Sequence, residues 1–349
     1  MKRVFLLLIL LLNSSLSYGS SVELSEKISP WISFEISAAT ESFLISLEHT
    51  QLKNVIISDL INPEGQVLIK SNIGTPSEAR IPPEIHSSFA SNIRTSYSSR
   101  GLAGVLVSNR ADELTGQMIK AGVWKMRLAY PSLKTSEKIM VNFDISEKGA
   151  TSGRDLFAQF DVVYDHKIFS DKKMEEILGV VADIYEKGKI KLQFHAVDRS
   201  YNHTEKSQSL DELINEFQNK KTKRPVIYLV DHQGEHNKDF QGFAGCLPGF
   251  IPKYLDKHCG FIIRVNMAQE LNLAKMSKVI AHEMGHFFGL FHLQDDYYPF
   301  GKLNDPIADT DISTEETNIM HKTSDVFETL EFTEGQFQVM RRHPLLQFQ

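Results

Sequence analysis

The run His282-Glu283-Met284-Gly285-His286-Phe287-Phe288-Gly289-Leu290-Phe291-His292 constrains this chain more than any other stretch. On an α-helix, residues four apart project from one face, so His282 and His286 can present imidazole nitrogens to a single ion. His292 stands ten residues beyond His282, about 15 Å along a straight helix at ~1.5 Å per residue. The chain must therefore turn sharply before His292 if all three are to meet. Gly289 sits where that turn is needed, because glycine enters the left-handed backbone region at little steric cost. Leu273, Met276, Ile280, Met284 and Phe287 recur at three- and four-residue spacing, which predicts the buried stripe of the helix that carries the first two histidines.

Three histidines at this spacing fit a zinc ion with a fourth position open to water, and Glu283 directly after the first ligand is placed to take a proton from that water. The alternative is an amphipathic helix that exposes His and Glu without a metal. The extended spacing weighs against it.

The run resembles the metzincin clan of zinc endopeptidases, whose pattern is His-Glu-x-x-His-x-x-Gly-x-x-His followed by a methionine turn. Asn318-Ile319-Met320-His321 matches that turn, and the resemblance implies that Met320 is a hydrophobic floor beneath the imidazoles and not a ligand. The residues Asp305 to Thr310, Asn318 to Met320 and Phe332 to Gln336, with Met340, are similar to the C-terminal half of pappalysin-like metzincins. The likeness covers roughly residues 240–345. Where some metzincins carry a tyrosine two residues after the turn methionine this chain has Lys322, so transition-state stabilisation by that tyrosine is not implied. The resemblance implies a zinc-dependent endopeptidase with His282, His286 and His292 as ligands, Glu283 as general base and a protein or peptide as substrate. It also implies a sheet-edge strand that pairs with extended substrate, for which Phe261, Ile262, Ile263, Arg264 and Val265 are the expected residues; an ordinary buried strand is the other reading. A binding protein that recognises a surface partner through its N-terminal half, with the zinc half as a weakly active scaffold, is the alternative function.

The chain start predicts export. Lys2 and Arg3 precede a short apolar run and a small polar stretch ending near Gly19, the pattern of a secretory signal peptide over residues 1–19. The apolar run is shorter than the ~20 residues needed to span a bilayer, and no later segment promises stable membrane insertion, so a secreted or periplasmic protein is expected. The two cysteines, Cys246 and Cys259, either pair in an oxidising compartment, adding about 3 kcal/mol in the chain-entropy account, or remain free thiols. A net charge of −6 with no basic tract argues against a nucleic-acid partner. Asp295, Asp296, Asp305, Asp309 and Asp311 make an acidic stretch that either binds Ca2+ through oxygen ligands or is a solvated loop. His195, His232, His236 and His258 read as surface or loop histidines.

The expected fold class is α+β: a metzincin-like domain with a twisted mixed sheet and helices over residues 151–349, preceded by an all-β, sandwich-like accessory or pro-domain over residues 20–150. Short β-like runs at 43–47, 54–58, 66–69, 104–107, 123–128 and 139–143 are separated by turn residues, which predicts antiparallel sheets. Residues 146–154, rich in Gly, Ser and charge, read as the linker. Strands at 156–164, 190–197 and 226–230 alternate with helices at 172–187 and 210–218, which predicts a mostly parallel sheet. Beyond His292 the chain is expected to be largely irregular until a helix over 334–342.

Overall fold

The computed structural model describes residues 17–49, 55–70, 84–85, 96–98, 102–108, 119–130, 133–134, 137–150, 153–164, 166, 169–198, 224–231, 242–244, 260–265, 273–290, 292–297, 301–305, 307, 309–310, 317–321 and 331–348. Cys246, Cys259, His232, His236, His258, Asp311, Lys322 and the helix expected at 210–218 lie outside them.

The N-terminal unit contains, in chain order, β1 (Ser17–Leu24), β2 (Ile32–Ile36), β3 (Thr40–His49), β4 (Ile56–Ile61), β5 (Val67–Lys70), β6 (Glu84–Ile85), β7 (Ser96–Ser98), β8 (Leu102–Ser108), β9 (Gly122–Ala129) and β10 (Ile139–Gly149). They form two five-stranded antiparallel sheets, ordered β1-β10-β3-β8-β7 and β2-β9-β4-β5-β6. One face of each sheet feeds a single apolar cluster, with Phe43, Ile45, Val105 and Val141 from the first sheet and Leu60, Trp124, Met126 and Leu128 from the second. This is the period-two rule at work: alternate side chains of a strand reach the same face. Phe43 packs edge-on against Trp124 with ring centroids 5.0 Å apart.

The opposite face of the first sheet is buried as well. Ser42, Leu44 and Ser46 of β3 lie in register with Lys148, Ser146 and Asp144 of β10, and all six are buried. Leu44 and Leu106 belong to the apolar cluster of the C-terminal unit, not to that of their own sheets. The linker expected at 146–154 is accordingly displaced. Ser146 through Gly149 continue β10 in antiparallel pairing with β3, because the face that would have met water meets the other unit.

The C-terminal unit contains β11 (Leu156–Val163), α1 (Asp171–Glu186), β12 (Ile190–Asp198), β13 (Val226–Asp231), β14 (Gly242–Ala244), β15 (Gly260–Val265), α2 (Leu273–Phe287), β16 (Gln294–Tyr297), β17 (Gly301–Asn304), α3 (Glu334–Arg341) and β18 (Gln347–Phe348). The sheet order is β12-β11-β13-β15-β14, with β18 paired antiparallel to the start of β11. β12, β11, β13 and β15 run parallel and β14 antiparallel, so this is a mixed sheet. Ser170 caps α1 by accepting from the Lys173 amide at 3.2 Å, and Met174, Ile177, Leu178, Val181 and Tyr185 form its buried stripe.

One further expectation changes. Phe261, Ile262 and Ile263 pair with β14 on one side and β13 on the other, so β15 is an inner strand and β14 is the edge among the described residues. A three-residue antiparallel strand gives too short a pattern to be seen in sequence. Within the segment after His292, expected to be largely irregular, β16 and β17 form a hairpin. His195 lies in β12, within the strand expected at 190–197, opposite Asp161 of β11, and its Nε2 is buried. Among the described residues no helix is long and apolar enough to cross a membrane.

Candidate metal centre

α2 is fixed against α1 before any ligand is considered. The Ser277 hydroxyl is shared between the carbonyls of Ile177 in α1, at 3.0 Å, and Leu273, at 2.9 Å. One turn further on, the Tyr185 hydroxyl of α1 donates to the Ala281 carbonyl at 2.9 Å. Burial pushes the Tyr185 pKa well above its ordinary value, so the phenol stays a donor. Ala281 directly precedes His282, whose position is thereby tied to the neighbouring helix.

The turn that carries the chain to His292 has a Schellman pattern. The Leu290 amide donates to the Gly285 carbonyl at 2.9 Å and the Gly289 amide to the His286 carbonyl at 3.0 Å. Gly289 has φ 102°, as the spacing of the run requires. The Leu290 carbonyl then lies 2.8 Å from Nδ1 of His286. A carbonyl only accepts, so Nδ1 carries the proton and Nε2 is left with a lone pair. His282 is held in the same tautomer, its Nδ1 donating to the Ile319 carbonyl at 2.7 Å.

These contacts bring His282, His286 and His292 together, with one ligand atom of each within 4.8 Å of the others; among the described residues no other group of this kind occurs. Nε2 of His286 and Nε2 of His292 are 3.2 Å apart. With Zn–N bonds of 2.0–2.1 Å and tetrahedral angles, two ligand nitrogens are about 3.3 Å apart, so this pair already has the spacing that the ion imposes. Burial, with His286 and His292 beside it, pushes the His282 pKa well below the ordinary imidazole value, despite the opposing pull of the Ile319 carbonyl. Neutral imidazole is the form that binds metal. Glu283 is buried next to the first ligand on the same helix.

Met320 is fully buried under this helix. A Cβ on Gly285 would come within 2.6 Å of the Met320 sulfur, so the glycine between the two helical ligands is what lets the methionine approach so closely. The loop is braced from behind. The Met320 amide donates to Oδ1 of Asn318 at 2.9 Å, and the side-chain amides of Asn318 and Gln336 bond reciprocally at 3.0 and 3.1 Å. Gln336 also closes a capping box with Thr333 at the start of α3. The Thr-x-x-Gln spacing at 333–336 is legible in the sequence and marks that helix start. The Asn318–Gln336 pair and the two carbonyl acceptors have no such signature.

The acidic stretch is built differently from a calcium loop. Asp305 accepts from the Ile307 amide at 3.2 Å and from the Thr310 hydroxyl, and Asp309 accepts from Thr333 Oγ1 and the Gly335 amide, both at 2.8 Å. These carboxylates brace the loop and cap α3, which gives no support to the Ca2+ reading. The side chains of Asp295 and Asp296 lie outside the described set.

No family model matches the chain, and no curated protein matches it. Among solved structures it is similar to metalloproteinase-II from Bacteroides fragilis, at 14% identity and a TM-score of 0.31 over 48% of this chain, spanning 57% of that protein. It is also similar to archaemetzincin from Methanopyrus kandleri, at 15% identity and a TM-score of 0.33, over 56% of this chain and 98% of that one. A third is the CspB protease of Clostridium perfringens, at 12% identity and a TM-score of 0.23, over 39% of this chain and 25% of that one. Scores and identities this low carry no conclusion for this chain. The histidine geometry stands by itself.

Proposed function

We propose that this protein is an exported, zinc-dependent endopeptidase of the metzincin type. The observation that carries the reading is the convergence of three imidazoles, two of them fixed by main-chain carbonyls with Nε2 facing inward, beside a buried carboxylate on the same helix. His282, His286 and His292 would hold the ion. When bound, zinc supplies a Lewis acid and a water acidic enough to act as nucleophile near neutral pH. Glu283 would take up a proton from the attacking water and return it to the departing amine. Burial of Glu283 keeps its carboxylate out of bulk solvent and next to the ligand set. Met320 packs closely against Gly285, which lies between His282 and His286 on the helix.

Among the described residues β14 is the edge of the sheet and packs against α2, so an extended peptide could add a strand there. This replaces β15 as the expected substrate strand. The charged and apolar pattern of residues 1–19 supports export.

The purified full chain should hold about one zinc and cleave casein or peptides, with cleavage lost on chelation, restored by zinc and absent in Glu283→Ala. Zinc bound at full occupancy with no hydrolysis across a broad peptide library would sink the peptidase reading.

A further inference from the structure

The buried outer face of the first N-terminal sheet is joined to the metal helix through a short C-terminal segment. Lys148 of β10 donates to three carbonyls there, Arg341 at 2.7 Å, His343 at 2.8 Å and Leu346 at 2.6 Å. Three acceptors use all three protons of an ammonium group, and the Arg341 carbonyl belongs to the end of α3, where the helix dipole favours a cation. Ser42 of β3 adds a hydroxyl to the Arg342 carbonyl at 2.5 Å. The segment then reaches the metal helix, because the fully buried His343 ring packs on Phe287 and Phe288, at centroid distances of 5.9 and 5.8 Å. Phe287 and Phe288 stand between His286 and the Gly289 turn, whose Leu290 carbonyl orients His286.

The same segment is held on its other side. The Arg341 guanidinium donates to the carbonyls of Gly188, Lys189 and Arg154 at 2.7, 3.2 and 2.6 Å, and β18 pairs with β11. It is therefore a strap with the N-terminal unit on one flank and the metal-bearing unit on the other.

We infer that Lys148 is a positioning residue for the metal centre, acting through this strap, and that the N-terminal unit is a permanent part of the fold and not a detachable pro-segment. Removal of the N-terminal unit would take Ser42 and Lys148 away and uncover the carbonyls of Arg341, Arg342, His343 and Leu346. Without the N-terminal unit, Leu44 and Leu106 would leave the apolar cluster that contains Phe287, Phe288 and Met340. Three carbonyls would lose their common donor, and the support behind the second ligand would be free to shift.

The inference rests on the zinc reading, and the test keeps the two apart. A specific protease site is inserted between Ala150 and Gly153 of the full chain, and the purified protein is cut. The two fragments should co-elute as one equimolar species that keeps its zinc. Separation in native buffer, with zinc retained on the C-terminal fragment, would overturn the inference. In a second arm Lys148→Met in the uncut chain should lower zinc affinity at least tenfold, measured by chelator competition well below the unfolding temperature, and Lys148→Arg should recover part of it. A folded Lys148→Met protein with wild-type zinc affinity would overturn the positioning role. If Lys148→Met does not fold, Ser42→Ala takes its place, since it removes the hydroxyl donated to the Arg342 carbonyl, and wild-type zinc affinity in that variant overturns the positioning role. A wild-type chain that binds no zinc counts against the peptidase reading instead.

Discussion

The contact between Gly285 and Met320 can be tested as an energetic pair. Gly285→Ala brings two opposing effects. Alanine in a helix interior is better than glycine by about 1 kcal/mol. Its Cβ would meet the Met320 sulfur at 2.6 Å, with Phe332 at 3.3 Å and Leu290 at 3.5 Å closing the other directions. The sulfur must move by roughly 1 Å to reach ordinary contact distance, and overpacking of this kind costs about 1–3 kcal/mol. The net expectation is a loss of about 1 kcal/mol. Met320→Ala alone removes a fully buried side chain and should cost about 3 kcal/mol. In the double variant the new Cβ sits beside the vacated space, so overpacking disappears while the helix gain remains, giving a total near 2 kcal/mol. The single losses sum to about 4 kcal/mol, so the pair should couple by about 2 kcal/mol. Urea denaturation of the zinc-stripped proteins measures this without the contribution of ligand binding. Additivity within about 0.5 kcal/mol would refute the contact.

Glu283→Gln should reduce turnover by about 10²–10⁴-fold while zinc content stays near that of the wild type, as read by metal analysis alongside a peptide assay. Asn318→Ala removes the acceptor for the Met320 amide and one half of the pair with Gln336. It should cost about 2 kcal/mol and raise the zinc dissociation rate, since the neighbouring Ile319 carbonyl orients His282. Cleavage after Gly19 during export would remove the first three residues of β1, which pair with Ser146, Ile145 and Asp144, and leave the strand to begin at Ser20. N-terminal sequencing of the exported protein should therefore find a start near residue 20, and a start near residue 150 would contradict both this prediction and the strap.

The β-like runs, the alternation of β11, α1 and β12, and the helix carrying His282 and His286 are legible in the sequence because each depends on local periodicity. The Gly289 turn is legible because only a few residues tolerate its φ. The outer face of β3 misleads for a physical reason: Ser42, Leu44 and Ser46 alternate with Phe43, Ile45 and Leu47, so the strand reads as half solvated. That face is covered by residues some 300 positions away in the chain, and no local pattern encodes such a partner. Small serines suit a sheet that meets another unit closely as well as they suit water. The orienting groups behind the ligands escape for a different reason. The Ile319 and Leu290 carbonyls are main-chain atoms, and their role depends on loop path rather than on side-chain identity.

The strap also sets an order of events in folding. Ser42 and Arg342 are 300 residues apart in sequence, and Lys148 meets carbonyls 193, 195 and 198 residues further on. Closing such large loops is entropically slow and gains nothing until the final contacts form. The first sheet can assemble early during synthesis, but its outer face stays wet until residues 341–346 have left the ribosome. The metal helix likewise lacks its His343 backing until then. The His282–His292 site therefore gains its final backing only after the N-terminal sheets have formed.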